Sequence, residues 1–154
     1  MFILRLASSL EKARIPYAIV GGYAVALHGA VRGTVDVDLV LQLKKEHWLA
    51  IEILLKGLGL ESRLPLKAEE VFHFREQYVR DRNLVAWNFY NPKRPIECVD
   101  ILLTEDLKGM KVEKVAVGQA VLRIASVEDL IRMKLKSGRT QDLADVDALR
   151  RLKR

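Results

Sequence analysis

Residues 20–41 read VGGYAVALHGAVRGTVDVDLVL, and this stretch decides the fold. The apolar run at 17–20 suits a strand. Gly21-Gly22 lets the backbone turn and approach a ligand closely. Residues 22–29 have helical composition, Gly29 ends that helix, and 30–33 read as a loop carrying Arg32 towards Thr34. The next strand, expected over 35–42, carries Asp36-Val37-Asp38 in an otherwise apolar run. Residues two apart on a strand share a face, so Asp36 and Asp38 would project side by side, about 7 Å apart at Cα. Val35, Val37, Leu39 and Leu41 would point the other way, into a core. Neighbouring carboxylates repel unless a cation sits between them, and an all-oxygen donor set favours Mg²⁺ or Mn²⁺. A glycine turn feeding a helix start offers N–H groups to a phosphate. Taken singly, the glycines read as a turn and the aspartates as surface charge. In this order and spacing they point to metal-assisted phosphoryl or nucleotidyl transfer.

Gly21-Gly22, thirteen intervening residues and then Asp36-Val37-Asp38 together resemble the signature of the DNA polymerase β-like nucleotidyltransferase superfamily. The longer string GGYAVALHGAVRGTVDVDL is similar to the branch containing the abortive-infection (type IV) toxin nucleotidyltransferases. It is less similar to the aminoglycoside and lincosamide nucleotidyltransferases, which share a Gly-Gly, Arg, Asp-x-Asp layout. The resemblance implies an α+β fold with a mixed twisted sheet flanked by helices and a C-terminal helical pair. It also calls for a third carboxylate on the strand beside the Asp-x-Asp strand.

The rest of the chain supplies candidates. Apolar Phe2, Leu4, Leu6, Ala7 and Leu10 predict a helix over 2–13, ended at Ile15-Pro16. Residues 44–56 predict a helix closed by Gly57 and Gly59. Residues 60–83 read as mixed helix and loop, with a short strand at 60–64 and a helix at 67–76. LVAWNFY at 84–90 and IECVDILL at 96–103 flank turn chemistry at 91–95, which predicts a hairpin. Asp100 stands in the second run, where an unpaired acid costs several kcal/mol of desolvation. It reads either as a salt-bridged strand-end residue or, through the resemblance, as the third carboxylate. A second hairpin is expected over 112–117 and 120–124. Ser126 caps a helix running to Ser137, with Asp129 in a capping-box position and Gly138 beyond its end. Thr140 caps a last helix, over 141–152, with Leu143, Val146, Leu149 and Leu152 on one stripe.

The resemblance implies roles. Asp36, Asp38 and Asp100 would bind the metal and carry catalysis. Gly21, Gly22, Arg32, Thr34 and Lys134 would hold the nucleoside triphosphate. Lys134 and the Arg139…Asp142 pair match a lysine and Arg-x-x-Asp pattern at the end of the toxin-like branch, although Lys134 and Lys136 also read as ordinary solvated lysines. His28 reads as a helix-end residue packing the loop.

Half of the residues are hydrophobic, 30% are charged and the net charge is +6, with a pI near 9.5. That balance suits phosphate-bearing partners without requiring them, and part of the excess is terminal, in Arg150, Arg151, Lys153 and Arg154. The longest apolar run, 17–27, is too short to span a bilayer, and no signal peptide is apparent. The single cysteine, Cys98, excludes an internal disulfide framework. The expectation is a cytoplasmic protein, one nucleotidyltransferase domain over 1–154 with 126–154 as a C-terminal helical extension. It would move a nucleoside monophosphate from an NTP to an acceptor hydroxyl on RNA, tRNA or protein, with a toxin–antitoxin partner or a homodimer as further associations. Two alternatives stand: an aminoglycoside-type antibiotic nucleotidyltransferase, and a non-catalytic nucleotide-binding regulator or antitoxin partner.

Overall fold

The apolar stripe Ile3, Leu6, Ala7 and Leu10 winds into α1 (Phe2–Lys12) and is buried along its length. The structure is a computed structural model that describes residues 1–30 and 32–152. Val31 of the expected 30–33 loop and the basic Lys153 and Arg154 lie outside the described residues. After α1 come β1 (Tyr17–Val20), α2 (Gly21–Leu27), β2 (Val37–Leu41) and α3 (Lys45–Gly57). The stretch expected to mix helix and loop forms β3 (Glu61–Ser62), α4 (Ala68–His73) and α5 (Arg75–Arg82). The helix expected over 67–76 is therefore two helices: Phe74 leaves helical geometry at ψ 14° and starts a new turn. The two hairpins are β4 (Ala86–Asn91) with β5 (Arg94–Leu102), and β6 (Val112–Val117) with β7 (Ala120–Ala125). The chain closes with α6 (Val127–Ser137) and α7 (Thr140–Leu152).

The strands form one mixed sheet in the order β3-β4-β5-β2-β1-β7-β6. Its centre combines an antiparallel β1–β2 pair with parallel β2–β5 and β1–β7 pairs. Side chains alternate across the sheet. One face carries Leu39, Trp87, Phe89, Val99 and Ile101, all fully buried. There α3 lays Trp48 parallel to Trp87, ring centroids 6.2 Å apart, and Trp87 meets Phe89 edge-on at 4.6 Å. Such pairs add about 0.5–1.5 kcal/mol beyond their area burial. Both indoles find acceptors, Gln42 carbonyl and Ser62 Oγ, each at 3.0 Å. Arg5 of α1 reaches Glu97 on the same face at 2.7 Å. The opposite face carries Asp38 and Asp100, and α2, α6 and α7 cover only part of it.

The last helix turns differently from the apolar stripe expected. Leu143 and Leu152 are exposed, and the buried positions are Asp142, Asp145, Val146 and Leu149. The two acids face inwards because cations from other elements meet them. Among the described residues, no helix is long and apolar enough to cross a membrane.

Candidate active site

β1 and β2 end against each other with Val20 opposite Asp38, and β2 pairs with β5 so that Asp38 lies in register with Asp100. Two carboxylates on adjacent parallel strands thus point to the same open face. Burial, the charge and hydrogen bond of Asp100, and the charge of Asp36 push the Asp38 carboxyl up to about 7, against a downward pull from Lys134. Asp100 is raised too, mainly by burial, with a hydrogen bond from Asn88 Nδ2 to its Oδ1 working against that. The pair is held together at an electrostatic cost that a cation would relieve.

Asp36 is placed differently from expectation. Strand β2 starts at Val37, so Asp36 lies just before the sheet, exposed, and Val35 is half-exposed instead of buried in the core. Its charge still reaches Asp38, Asp100 and Cys98. Among the described residues, no three His, Cys, Asp or Glu side chains are gathered as a ready metal site. Asp38 and Asp100 fit a hard divalent cation by donor chemistry. Asp36 stands beside them and must turn in to complete a three-carboxylate set.

The glycine pair sets how closely the backbone comes. Gly21 has φ +69°, and a Cβ there would lie 1.9 Å from Asp38 Oδ2. A Cβ on Gly22 would lie 2.8 Å from the Thr34 side chain. Only glycine lets α2 begin directly against the carboxylate. Thr34 Oγ1 itself reaches the Asp36 carbonyl at 3.5 Å.

A cleft of about 610 Å³ opens over this floor, and Gly21, Asp38, Asp100, Lys134, Arg139 and Asp142 are among its walls. Lys134 is not a solvated helix lysine. Its side chain is 9% exposed, and Nζ lies 2.8 Å from Asp145 Oδ2 and 3.5 Å from Asp142 Oδ1. Asp145 also accepts from Arg32 Nε at 3.2 Å and Gln141 Nε2 at 3.0 Å. Arg139 Nε donates to Asp142 at 2.9 Å. Burial works against ionising either acid. Bonds from Arg139 and Ser137 nevertheless hold Asp142 below the usual carboxylate range, and bonds from Lys134 and Gln141 do the same for Asp145. Arg32 is therefore tied to α7 in this structure. Ser126 Oγ accepts from the Asp129 amide at 3.2 Å, which starts α6 and sets Lys134 two turns along it. His28 Nε2 lies 2.8 Å from the Ala125 carbonyl, packing the end of α2 on β7.

The sequence motifs named Asp38, Asp100, Gly21 and Lys134, and the fold brings these four into one cleft. They did not name Asp145 or Asn88. The signal for Asp145 was its helical spacing from Asp142, three residues on, opposite a lysine and two arginines.

Neither a protein-family model nor a curated protein matches the chain. Solved structures do. A lincosamide antibiotic adenylyltransferase, LnuA, with lincomycin bound superposes with TM-score 0.64 at 14% identity, covering 98% of this chain and 96% of that one. An antigenic nucleotidyltransferase-like protein from Paracoccidioides brasiliensis gives 0.62 at 21%, covering 96% and 72%. A putative nucleotidyltransferase from Thermotoga maritima gives 0.62 at 13%, covering 94% and 88%. What the chain shares with them at these identities is the fold, a mixed α+β nucleotidyltransferase fold.

Proposed function

We propose that this chain is a nucleotidyltransferase that moves a nucleoside monophosphate from an NTP to an acceptor hydroxyl. The observation that carries the proposal is the in-register pair Asp38 and Asp100, half-buried and mutually repelling, on the floor of a cleft walled by Gly21 and Lys134. A structural pair of acids would have a cation of its own. The nearest buried ammonium, Lys134, is already held by Asp142 and Asp145.

Asp38 and Asp100, with Asp36 turned in, would hold Mg²⁺ or Mn²⁺. Bound there, the ion would neutralise charge on the phosphate oxygens. Gly21 and Gly22 give the phosphates close access to the backbone beside Asp38. Lys134 places one positive charge in the cleft, aimed by its two aspartates. Arg32 and Thr34 flank the carboxylates on the loop before β2, and Arg32 supplies charge for the outer phosphates on release from Asp145. The acceptor oxygen bonds to the α-phosphorus, the bond from that phosphorus to its bridging oxygen breaks, and pyrophosphate leaves. The hydroxyl proton passes to Asp100.

The test is label transfer. The protein is incubated with each α-labelled NTP, Mg²⁺ and acceptors including RNA, tRNA, protein and an aminoglycoside. Wild type should label one acceptor class, and Asp38→Asn and Asp100→Asn should lower the rate by a factor of about 10² or more. Equal labelling by wild type and Asp38→Asn would falsify the reading.

A further inference from the structure

The nucleotide half of the proposed site leaves unused the sheet face on the far side of Asp100. In register, Asn88 lies opposite Asp100 and Tyr90 opposite Cys98, so the alternation that points Asp100 to the open face points these three the same way. Arg63, just past β3, lies across them. Its amide donates to the Asn88 carbonyl at 3.0 Å. Its guanidinium carbon sits 4.5 Å from the centre of the Tyr90 ring, and Nη2 lies 3.8 Å from Cys98 Sγ. Arg63 is exposed, and among the described residues no carboxylate pairs with it. Its charge pulls the Asp100 carboxyl downwards. Lys93 stands exposed at the nearby β4–β5 turn.

We propose that Arg63 and Tyr90 form the acceptor subsite, and that it takes the hydroxyl-bearing end of a single-stranded polynucleotide. This rests on the nucleotidyltransferase reading. The strand order puts Gly21, at the end of β1, on one side of the Asp38–Asp100 pair and Arg63 with Tyr90 on the other. Lys134 lines the cleft with Gly21 and both carboxylates, whereas Arg63 and Tyr90 lie outside that cleft. An acceptor must approach from the side opposite the leaving pyrophosphate. The guanidinium lies over the Tyr90 ring and is exposed, which leaves its other side open to a base and its donors open to a phosphate. A polyanion with exposed bases matches both features. A polycationic acceptor would meet an unpaired cation at the entrance.

The test is binding of a short end-labelled single-stranded RNA to the full chain, followed by fluorescence anisotropy without NTP. Wild type should bind saturably, and Arg63→Ala and Tyr90→Ala should each weaken binding about tenfold or more. Arg63→Lys keeps the charge without the planar face and should recover only part of the loss. Arg63→Ala retains the backbone bond to Asn88, so a wild-type circular dichroism spectrum and a Mg²⁺–NTP thermal shift that is still present should accompany the loss. RNA binding that is equal in wild type, Arg63→Ala and Tyr90→Ala overturns the subsite. So does a wild type that binds an aminoglycoside and no RNA, or neither. RNA binding that depends on Arg63 and Tyr90, with no label transferred to any acceptor, supports the surface and overturns the transferase reading instead.

Discussion

The ammonium of Lys134 lies 2.8 Å from Asp145 Oδ2, in a pair whose side chains are 9% and 4% exposed. The pair fixes where a positive charge enters the cleft. Breaking a buried pair leaves an uncompensated charge and costs about 3–5 kcal/mol. Lys134→Ala and Asp145→Asn should each lower the unfolding free energy by that order in urea titrations. The double variant Lys134→Met/Asp145→Leu removes both charges and should recover most of the stability. Its nucleotidyl transfer should stay lost, because the cleft has lost its cation. A double variant that regains transfer would show that the pair is structural only.

The Asp38 carboxyl, at about 7 when folded, sets a pH dependence with a definite sign. Its folded value exceeds the unfolded one, so between the two the native state keeps a proton that the unfolded chain has lost. Raising the pH towards 7 strips that proton against burial and against Asp100, so stability falls with pH. In EDTA the melting temperature should drop from pH 5 to pH 8, and Asp38→Asn should flatten the drop, gaining on the order of 2 kcal/mol at pH 8. Metal binds the ionised form, so stabilisation by Mg²⁺ should grow over the same window. Parallel melting profiles for wild type and Asp38→Asn would sink this account.

How far the sequence could be read depended on whether a feature was local. Gly21-Gly22, the acid of Asp100 in an apolar run and the Ser126 cap are each written in a few neighbouring residues, and the fold contains them all. The turn expected over 91–95 is tighter, only Pro92 and Lys93 between β4 and β5, because strand pairing extends to Asn91 and Arg94. The position of Asp36 is not local. Pairing of β1 with β2 ends at Val20 and Asp38, where the Gly21 turn carries the chain away, and that of β2 with β5 ends at Val37 and Val99, so Asp36 lies outside both ladders. Asp145 carried only a faint signal, its helical spacing from Asp142, for a related reason. An acid on a helix reads as a solvated face until a lysine from α6 and an arginine from another loop are seen to meet it. The Arg63–Tyr90 contact spans a two-residue strand, too short for any periodicity to reveal.

Gly21→Ala tests the close approach at the carboxylate. The added methyl carbon would sit 1.9 Å from Asp38 Oδ2, at a φ of +69° that alanine resists. Either the start of α2 shifts or Asp38 turns away. The expected loss is about 1–3 kcal/mol of stability, in line with strain at such positions, with transfer abolished. Circular dichroism melts and the label-transfer assay measure the two effects. The expectation fails if transfer proceeds at the wild-type rate.

Asn88 donates its side-chain amide to Asp100 Oδ1, and that bond opposes the burial that raises Asp100. Removing it leaves the carboxylate more basic and less firmly oriented. With Asp100 holding the ion as proposed, a partner that orients its carboxylate is worth about 10–100-fold in metal affinity. Asn88→Ala should therefore raise the Mg²⁺ concentration needed for half-maximal activity by at least about tenfold. Raising the pH ionises Asp100 and should recover part of the deficit, as should excess Mg²⁺. A purely structural defect would respond to neither, so titrating Mg²⁺ at two pH values separates the cases.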